Sequence, residues 1–273
     1  MDRVLGLAKG NCGKIAAVEL IVPVNGGEVW AEDTGGDGAP LVLVHPGWGD
    51  SSIWDPVMDR LPARYRIIRH DVRGYGKSPA PATPYTQLGD LIAVLDHCEV
   101  PRAVIVGHSG GAGTAIGLAL AAPERVSALV LLAPGLPDYP WPPDDPYAQE
   151  FDALFAAGDR DGLVHLGLRT WAAVGPDQAA QAQVYSAVDA FFKQGDFEQP
   201  DPAAYDRLGS IPVPVVVVLG DREYPTVKSC GEQIVKRIPG SRQVTVAGAD
   251  HLLPLRAPGQ IAELITQYIP TGE

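Results

Sequence analysis

Short apolar runs rich in branched residues recur along this chain, and helical patterns alternate with them. Segments 41–44, 65–69, 103–106, 128–132, 213–219 and 243–246 are of strand length and are punctuated by glycine and proline. Continuously apolar strands are what a parallel sheet buried on both faces requires. Between them, segments 88–98, 111–122, 226–237 and 258–268 carry apolar residues at three- or four-residue spacing and read as helices. Segments 17–22 and 28–31 read as antiparallel edge strands. The alternation breaks over residues 136–210, where helix-like stretches at 147–157, 163–171 and 177–192 form a helical insert. The expectation is an α/β protein, with a core from 1–135 and 211–273 and the insert between.

Composition narrows the function classes. The chain has 273 residues, 46% hydrophobic and 20% charged, enough apolar material for a sizeable core. Its net charge of −12 repels phosphate backbones, and no basic stripe with interleaved aromatics offsets it, so no nucleic-acid partner is expected. No run approaches the ~20 apolar residues of a bilayer span, and the first ten residues lack an apolar leader, so cytoplasmic residence is expected, with no membrane partner. Cys12, Cys98 and Cys230 are isolated, which gives neither a disulfide framework nor a metal site.

The richest motif is Gly107-His108-Ser109-Gly110-Gly111, which follows a strand and precedes a helix. In that setting a serine on a sharp turn is lifted above the sheet edge, and flanking glycines avoid a backbone clash. The helix N-terminus aims free N–H groups at developing negative charge. A serine hydroxyl needs a base, and the base needs an orienting acid. Two histidines follow Ser109: His165, inside the insert and read as a helix-face residue, and His251, just past the last strand in Gly248-Ala249-Asp250-His251-Leu252. His251 is therefore the candidate base. Asp221 and Glu223, in Gly220-Asp221-Arg222-Glu223-Tyr224-Pro225, both qualify as its acid, and spacing alone leaves both open.

These pieces, together with His45-Pro46-Gly47-Trp48-Gly49 and Asp71-Val72-Arg73-Gly74-Tyr75-Gly76-Lys77-Ser78, resemble the α/β-hydrolase superfamily over about residues 17–269. Among its members the chain looks most like 3-oxoadipate enol-lactonase-type and esterase-like hydrolases. The resemblance implies a mostly parallel eight-stranded sheet flanked by helices, with 136–210 as a cap. It favours Glu223, because the family's acid usually stands three residues after the strand-ending glycine; Asp221 is then a turn residue, and Asp138 a remaining alternative. It implies an oxyanion hole from the N–H groups of Gly110 and Gly47, with Pro46 replacing a residue whose N–H is not the donor. Residues 71–78 are implied to brace a loop through hydrogen bonds and an internal salt bridge.

The implied reaction is cleavage of a carboxylic ester or lactone through an acyl-enzyme, with no cofactor and no metal. Trp48, His108, Tyr139, Trp141, Trp171 and Leu252 are the candidate substrate-binding residues, with Tyr185, Phe191 and Phe192 as further aromatics of the roof. They suit a small neutral or aromatic ester or lactone. Ser109 argues against epoxide hydrolases and haloalkane dehalogenases, which carry aspartate at this turn. It is compatible with C–C bond or thioester hydrolysis, perhydrolase activity, cofactor-free oxygenases of this fold, or a non-catalytic ligand-binding protein. The sequence leaves room for a homodimer. The first ~15 residues extend beyond the usual start of the fold, as a tail or as cover for a neighbour.

Overall fold

The central strands are apolar on both faces because helices cover both. A computed structural model describes residues 17–268; the N-terminal extension and Cys12 lie outside the described residues. The strands are β1 (Val18–Val24), β2 (Gly27–Asp33), β3 (Ala39–Val44), β4 (Tyr65–His70), β5 (Ala103–His108), β6 (Val126–Leu132), β7 (Val215–Gly220) and β8 (Arg242–Val246). They form one sheet in the order β1-β2-β4-β3-β5-β6-β7-β8. The pairs β1/β2 and β2/β4 are antiparallel, and the other pairs are parallel. The α/β class, the eight strands and the antiparallel edge are therefore as expected. The strand expected from residue 213 begins at Val215, because Pro214 has no N–H for the ladder and contributes only its carbonyl, to Leu129 N–H.

The described helices are α1 (Asp55–Met58), α2 (Gln87–His97), α3 (Gly110–Ala121), α4 (Pro146–Ala157), α5 (Arg160–Trp171), α6 (Gln178–Gln194), α7 (Pro225–Arg237), α8 (Leu253–Arg256) and α9 (Pro258–Tyr268). Alternate strand residues feed two cores. Ile105, Leu129, Leu131 and Val217 pack with α2, α3 and α7 through Leu91, Leu95, Ile116 and Ile234. Val104, Val106, Val130 and Val218 face the other way and join Ile261 and Ile265 of α9. Each fully buried Leu, Ile or Val contributes about 1.5–3 kcal/mol relative to exposure. Residues 136–210 carry α4, α5 and α6, whose Leu163, Val184 and Ala187 belong to this second core. No described helix is long and apolar enough to cross a membrane.

Residues 71–78 brace the loop between β4 and α2, but the expected internal salt bridge is absent. Arg73 instead makes a two-pronged pair with Asp90 of α2, Nε–Oδ2 2.8 Å and Nη2–Oδ1 2.7 Å. Asp71 accepts the backbone N–H groups of Ser51 (2.8 Å) and Lys77 (2.9 Å). A carboxylate filled by backbone donors has little left for a guanidinium, which takes the helix carboxylate within its reach.

His70, at the end of β4, is buried, and desolvation followed by the nearby His45 pushes its pKa down to about 3. The folded chain therefore keeps this ring neutral where the unfolded chain protonates it. Its contribution to stability is complete above about pH 6.5 and is lost as pH falls toward about 3. His70→Gln should remove about 1 kcal/mol of the stability difference between pH 8 and pH 5.5. Urea denaturation at the two pH values measures it, and an unchanged difference would refute the assignment.

Candidate active site

Ser109 follows β5 and stands at the N-cap of α3 with φ 54° and ψ −119°, a positive-φ conformation that non-glycine residues avoid. Such a turn costs about 1–3 kcal/mol and persists only where its surroundings over-determine it. Here they do. Ser109 N–H donates to Leu132 O (2.9 Å), and Ser109 O accepts from Ala112 N–H and Gly135 N–H, both 3.0 Å. The flanking glycines are steric necessities. A β-carbon on Gly107 would lie 2.5 Å from Ala112 Cα and Gly111 O, and one on Gly111 would lie 2.5 Å from His45 O. Ser109 itself is half-buried, so its hydroxyl is reachable.

The two carboxylates after β7 separate cleanly. Asp221 is exposed and accepts Gly248 N–H (2.8 Å), which fastens the turn after β7 to the turn after β8. Glu223 is buried, and its Oε1 lies 3.0 Å from His251 Nδ1 and accepts Tyr224 N–H at 2.8 Å. Asp138 is elsewhere, accepting Ala204 N–H and Tyr205 N–H. His165 lies on the exposed face of α5. His251 Nε2 is buried without a hydrogen-bond partner among the described residues, so the link from His251 to the Ser109 hydroxyl is open in this structure. Catalytic hydrogen bonds often close only in the complex with substrate.

The base loop is seated directly on the serine turn. His108, one residue before Ser109, meets His251 O through Nε2 at 2.8 Å, and the two rings lie 5.1 Å apart. The expectation that His108 lines the pocket is corrected: its exposure is 0%. It faces inward because alternate residues of a strand point to opposite faces. Desolvation and then the neighbouring His251 hold its pKa well below the ordinary histidine value, so it is a neutral strut.

The loop after β3 brings Gly47 to the helix N-terminus. A β-carbon on Gly110 would lie 3.9 Å from Gly47 N, so the two expected oxyanion donors are neighbours. Gly110 is the first residue of α3, where an N–H has no intrahelical acceptor. His45 Nε2 accepts Val72 N–H (2.9 Å), which leaves Nδ1–H to donate to Pro46 O (2.8 Å). Tyr75 OH donates to Gly47 O at 3.1 Å. Helix α6 clips the same loop: Gln183 Oε1 accepts Asp50 N–H (3.0 Å), and Ser186 OH donates to Asp50 Oδ2 (2.6 Å).

Aromatic rings fill the space between this loop and α4–α6. Trp48 meets Phe191 at 4.9 Å and Trp171 at 6.4 Å, and Trp171 meets His251 at 4.5 Å. Trp48, in the Gly47 loop, and Trp171 thus lie beside one another, with Trp171 against His251. Tyr139, expected with them, lies apart: its ring packs on Tyr205 (5.4 Å) and Trp141 (4.8 Å), against the opposite core. Trp141 is tethered to Leu136 O by its Nε1–H (3.0 Å) and packs against both cores, the one that holds Trp48 and Trp171 as well as the one beneath Tyr139. Leu252 is fully buried beneath the base loop, and Tyr185 is 57% exposed on the outer face of α6. Phe192 stacks on Phe155 at 5.0 Å, outside the Trp48 group.

Sequence reasoning missed Tyr147, Phe151 and Tyr224. Tyr147 OH accepts Trp48 Nε1–H at 2.7 Å, and its ring lies 4.8 Å from Trp171. Tyr224 OH donates to Asp145 Oδ1 (2.7 Å), the carboxylate that also caps α4. The signal for Tyr224 was its adjacency to Glu223. For Tyr147 and Phe151 it was their four-residue spacing on one face of α4.

A serine turn with positive φ at the end of a parallel strand and a buried imidazole–carboxylate pair are carried by one sheet. Residues 41–264 match the alpha/beta hydrolase family, and the chain belongs to it. An epoxide hydrolase of Caballeronia sordidicola is 43% identical over 97 residues, 33% of this chain and 30% of that protein. The chain thus spans about a third of the length of the curated relatives it first matches. The carboxylesterase CesB (YbfK) of Bacillus subtilis superposes with TM-score 0.78 at 23% identity, covering 95% of this chain and 93% of that one. The enol-lactonase of Burkholderia xenovorans LB400 gives 0.73 at 22% identity, covering 91% and 98%.

Because Gly107 touches only backbone, Gly107→Ala should destabilise the protein by at least about 2 kcal/mol. Chemical denaturation checks this, and a loss below about 0.5 kcal/mol would show that the turn tolerates a β-carbon.

Proposed function

We propose that this protein is a serine hydrolase that cleaves a small carboxylic ester or lactone through an acyl-enzyme. The observation that carries the reading is the buried 3.0 Å contact between His251 Nδ1 and Glu223 Oε1, together with a half-buried serine held in a strained turn. With its Nδ1–H committed to a carboxylate, His251 presents Nε2 as the basic nitrogen.

In the proposed reaction Ser109 Oγ attacks the substrate carbonyl carbon and His251 Nε2 takes the hydroxyl proton. The carbonyl oxygen becomes an oxyanion and accepts from the N–H groups of Gly47 and Gly110, each worth about 3 kcal/mol in the transition state. The imidazolium, stabilised by Glu223, returns the proton to the leaving alcohol as the tetrahedral intermediate collapses. Water then enters, His251 removes its proton, and the same steps in reverse order release the acid and free serine. Each atom in this sequence is supplied by substrate, water or the three side chains.

We assign 136–210 as the cap on a core of 1–135 and 211–273. The clip from α6 to Asp50 and the packing of Phe191 on Trp48 support that division. Trp48, Tyr147, Phe151, Trp171 and Phe191 carry no formal charge, which supports a neutral or aromatic substrate.

A fluorophosphonate probe should label wild-type protein at Ser109 and leave Ser109→Ala unlabelled. The same substitution should lower turnover of short p-nitrophenyl esters by about four orders of magnitude. Labelling at another residue, or wild-type rates in the mutant, would reject the mechanism. Glu223→Gln should cost about a thousand-fold in kcat, and Asp221→Asn less than about three-fold. The reverse ranking would move the acid to Asp221. A panel of p-nitrophenyl esters, lactones and thioesters reports the substrate class, and preference for thioesters would displace the ester or lactone assignment.

A further inference from the structure

Asp250 stands next to the proposed base, is fully buried, and takes no part in the relay itself. Its carboxylate is saturated. Oδ2 accepts Val174 N–H at 2.8 Å and Oδ1 accepts Leu252 N–H at 3.1 Å. Arg256 Nε lies 3.0 Å from Oδ1 and 3.2 Å from Oδ2. A carboxylate taken out of water survives as an anion only with such a set of donors.

The guanidinium continues outward. Arg256 Nη2 donates to Gly175 O (2.7 Å) and Nη1 to Asp177 Oδ2 (2.6 Å). Asp177 in turn caps α6, its Oδ1 accepting Ala180 N–H at 2.8 Å. Three groups in the turn between α5 and α6 are therefore fastened to Asp250, which precedes His251, and to its ion-pair partner Arg256. A clasp needed only to close the base loop on itself would be complete with Asp250, Leu252 and Arg256. The remaining contacts, to Val174, Gly175 and Asp177, reach the segment that follows Trp171, whose ring lies against the His251 imidazole.

We infer that Asp250 and Arg256 are positioning residues for His251: they lock the base loop to the start of α6 and so fix where the imidazole sits relative to Ser109. The inference rests on His251 being the general base. Helix α6 then touches both halves of the site. Its N-cap holds the base loop through Arg256, and Gln183 and Ser186 hold the oxyanion loop through Asp50. A shift of α6 would move both halves together.

The test compares wild type with Arg256→Met, Arg256→Lys and Asp177→Asn, using p-nitrophenyl acetate turnover per folded molecule and the NMR resonances of the His251 imidazole. Arg256→Met should lower kcat at least about ten-fold with KM changed less than about two-fold, because a displaced base slows the chemical step and leaves binding intact. Arg256→Lys should recover part of that loss, and all three variants should shift the His251 resonances. If Arg256→Met does not fold, Asp177→Asn decides, since asparagine still caps the helix but removes the charge that anchors the guanidinium. Unchanged kcat and unchanged His251 resonances, with only a lowered Tm, would overturn the proposal. Should wild type show no turnover and no fluorophosphonate labelling, the hydrolase reading fails on its own. The resonances alone then judge the clasp: shifts in Arg256→Met and Asp177→Asn sustain it, and their absence rejects it.

Discussion

The whole site depends on one close backbone approach, where the end of β5 turns into α3 against the last residues of β3. Gly111 passes so near the carbonyls of Val44 and His45 that only hydrogen fits. That approach sets Ser109 in its positive-φ turn and brings the first N–H of α3 beside Gly47. A few tenths of an ångström of extra separation would weaken the serine's exposure and the pairing of the two donors at once. The strain at Ser109 is sustained by the hydrogen bonds to Leu132, Ala112 and Gly135, which belong to three different segments.

The imidazole is located by contacts of different kinds. Glu223 holds Nδ1, Trp171 covers a face of the ring, and His108 grips the backbone carbonyl from below. Burial keeps His108 neutral, so no second positive charge competes when His251 is protonated during the proposed reaction.

Family motifs and local spacing made much of this legible. The serine turn needs only adjacent residues, so Ser109, Gly107 and Gly111 could be read from the pentapeptide and its flanking strand and helix. His251 followed from chain order. The pocket was less legible. Tyr139 lies near the start of the insert, and aromatic character alone could not say that its ring would pack on Tyr205 rather than beside Trp48. His108 is next to Ser109 in sequence, but adjacent residues at the end of a strand point to opposite faces. Tyr147 and Phe151 were passed over because a helical stripe of aromatics reads equally well as packing.

The chain alone settled the alternation of strand and helix, the parallel core and the serine turn, because each is encoded by contiguous residues whose propensities and sterics act locally. Spacing left Asp221 and Glu223 level and the family resemblance favoured Glu223, but only the folded chain put Glu223 against His251, paired Arg73 with Asp90 rather than with Asp71, and joined Asp250 through Arg256 to the start of α6. Those choices are made between segments far apart in sequence. They depend on which donor a buried carboxylate meets once water has been removed, and no local pattern of residues specifies that meeting.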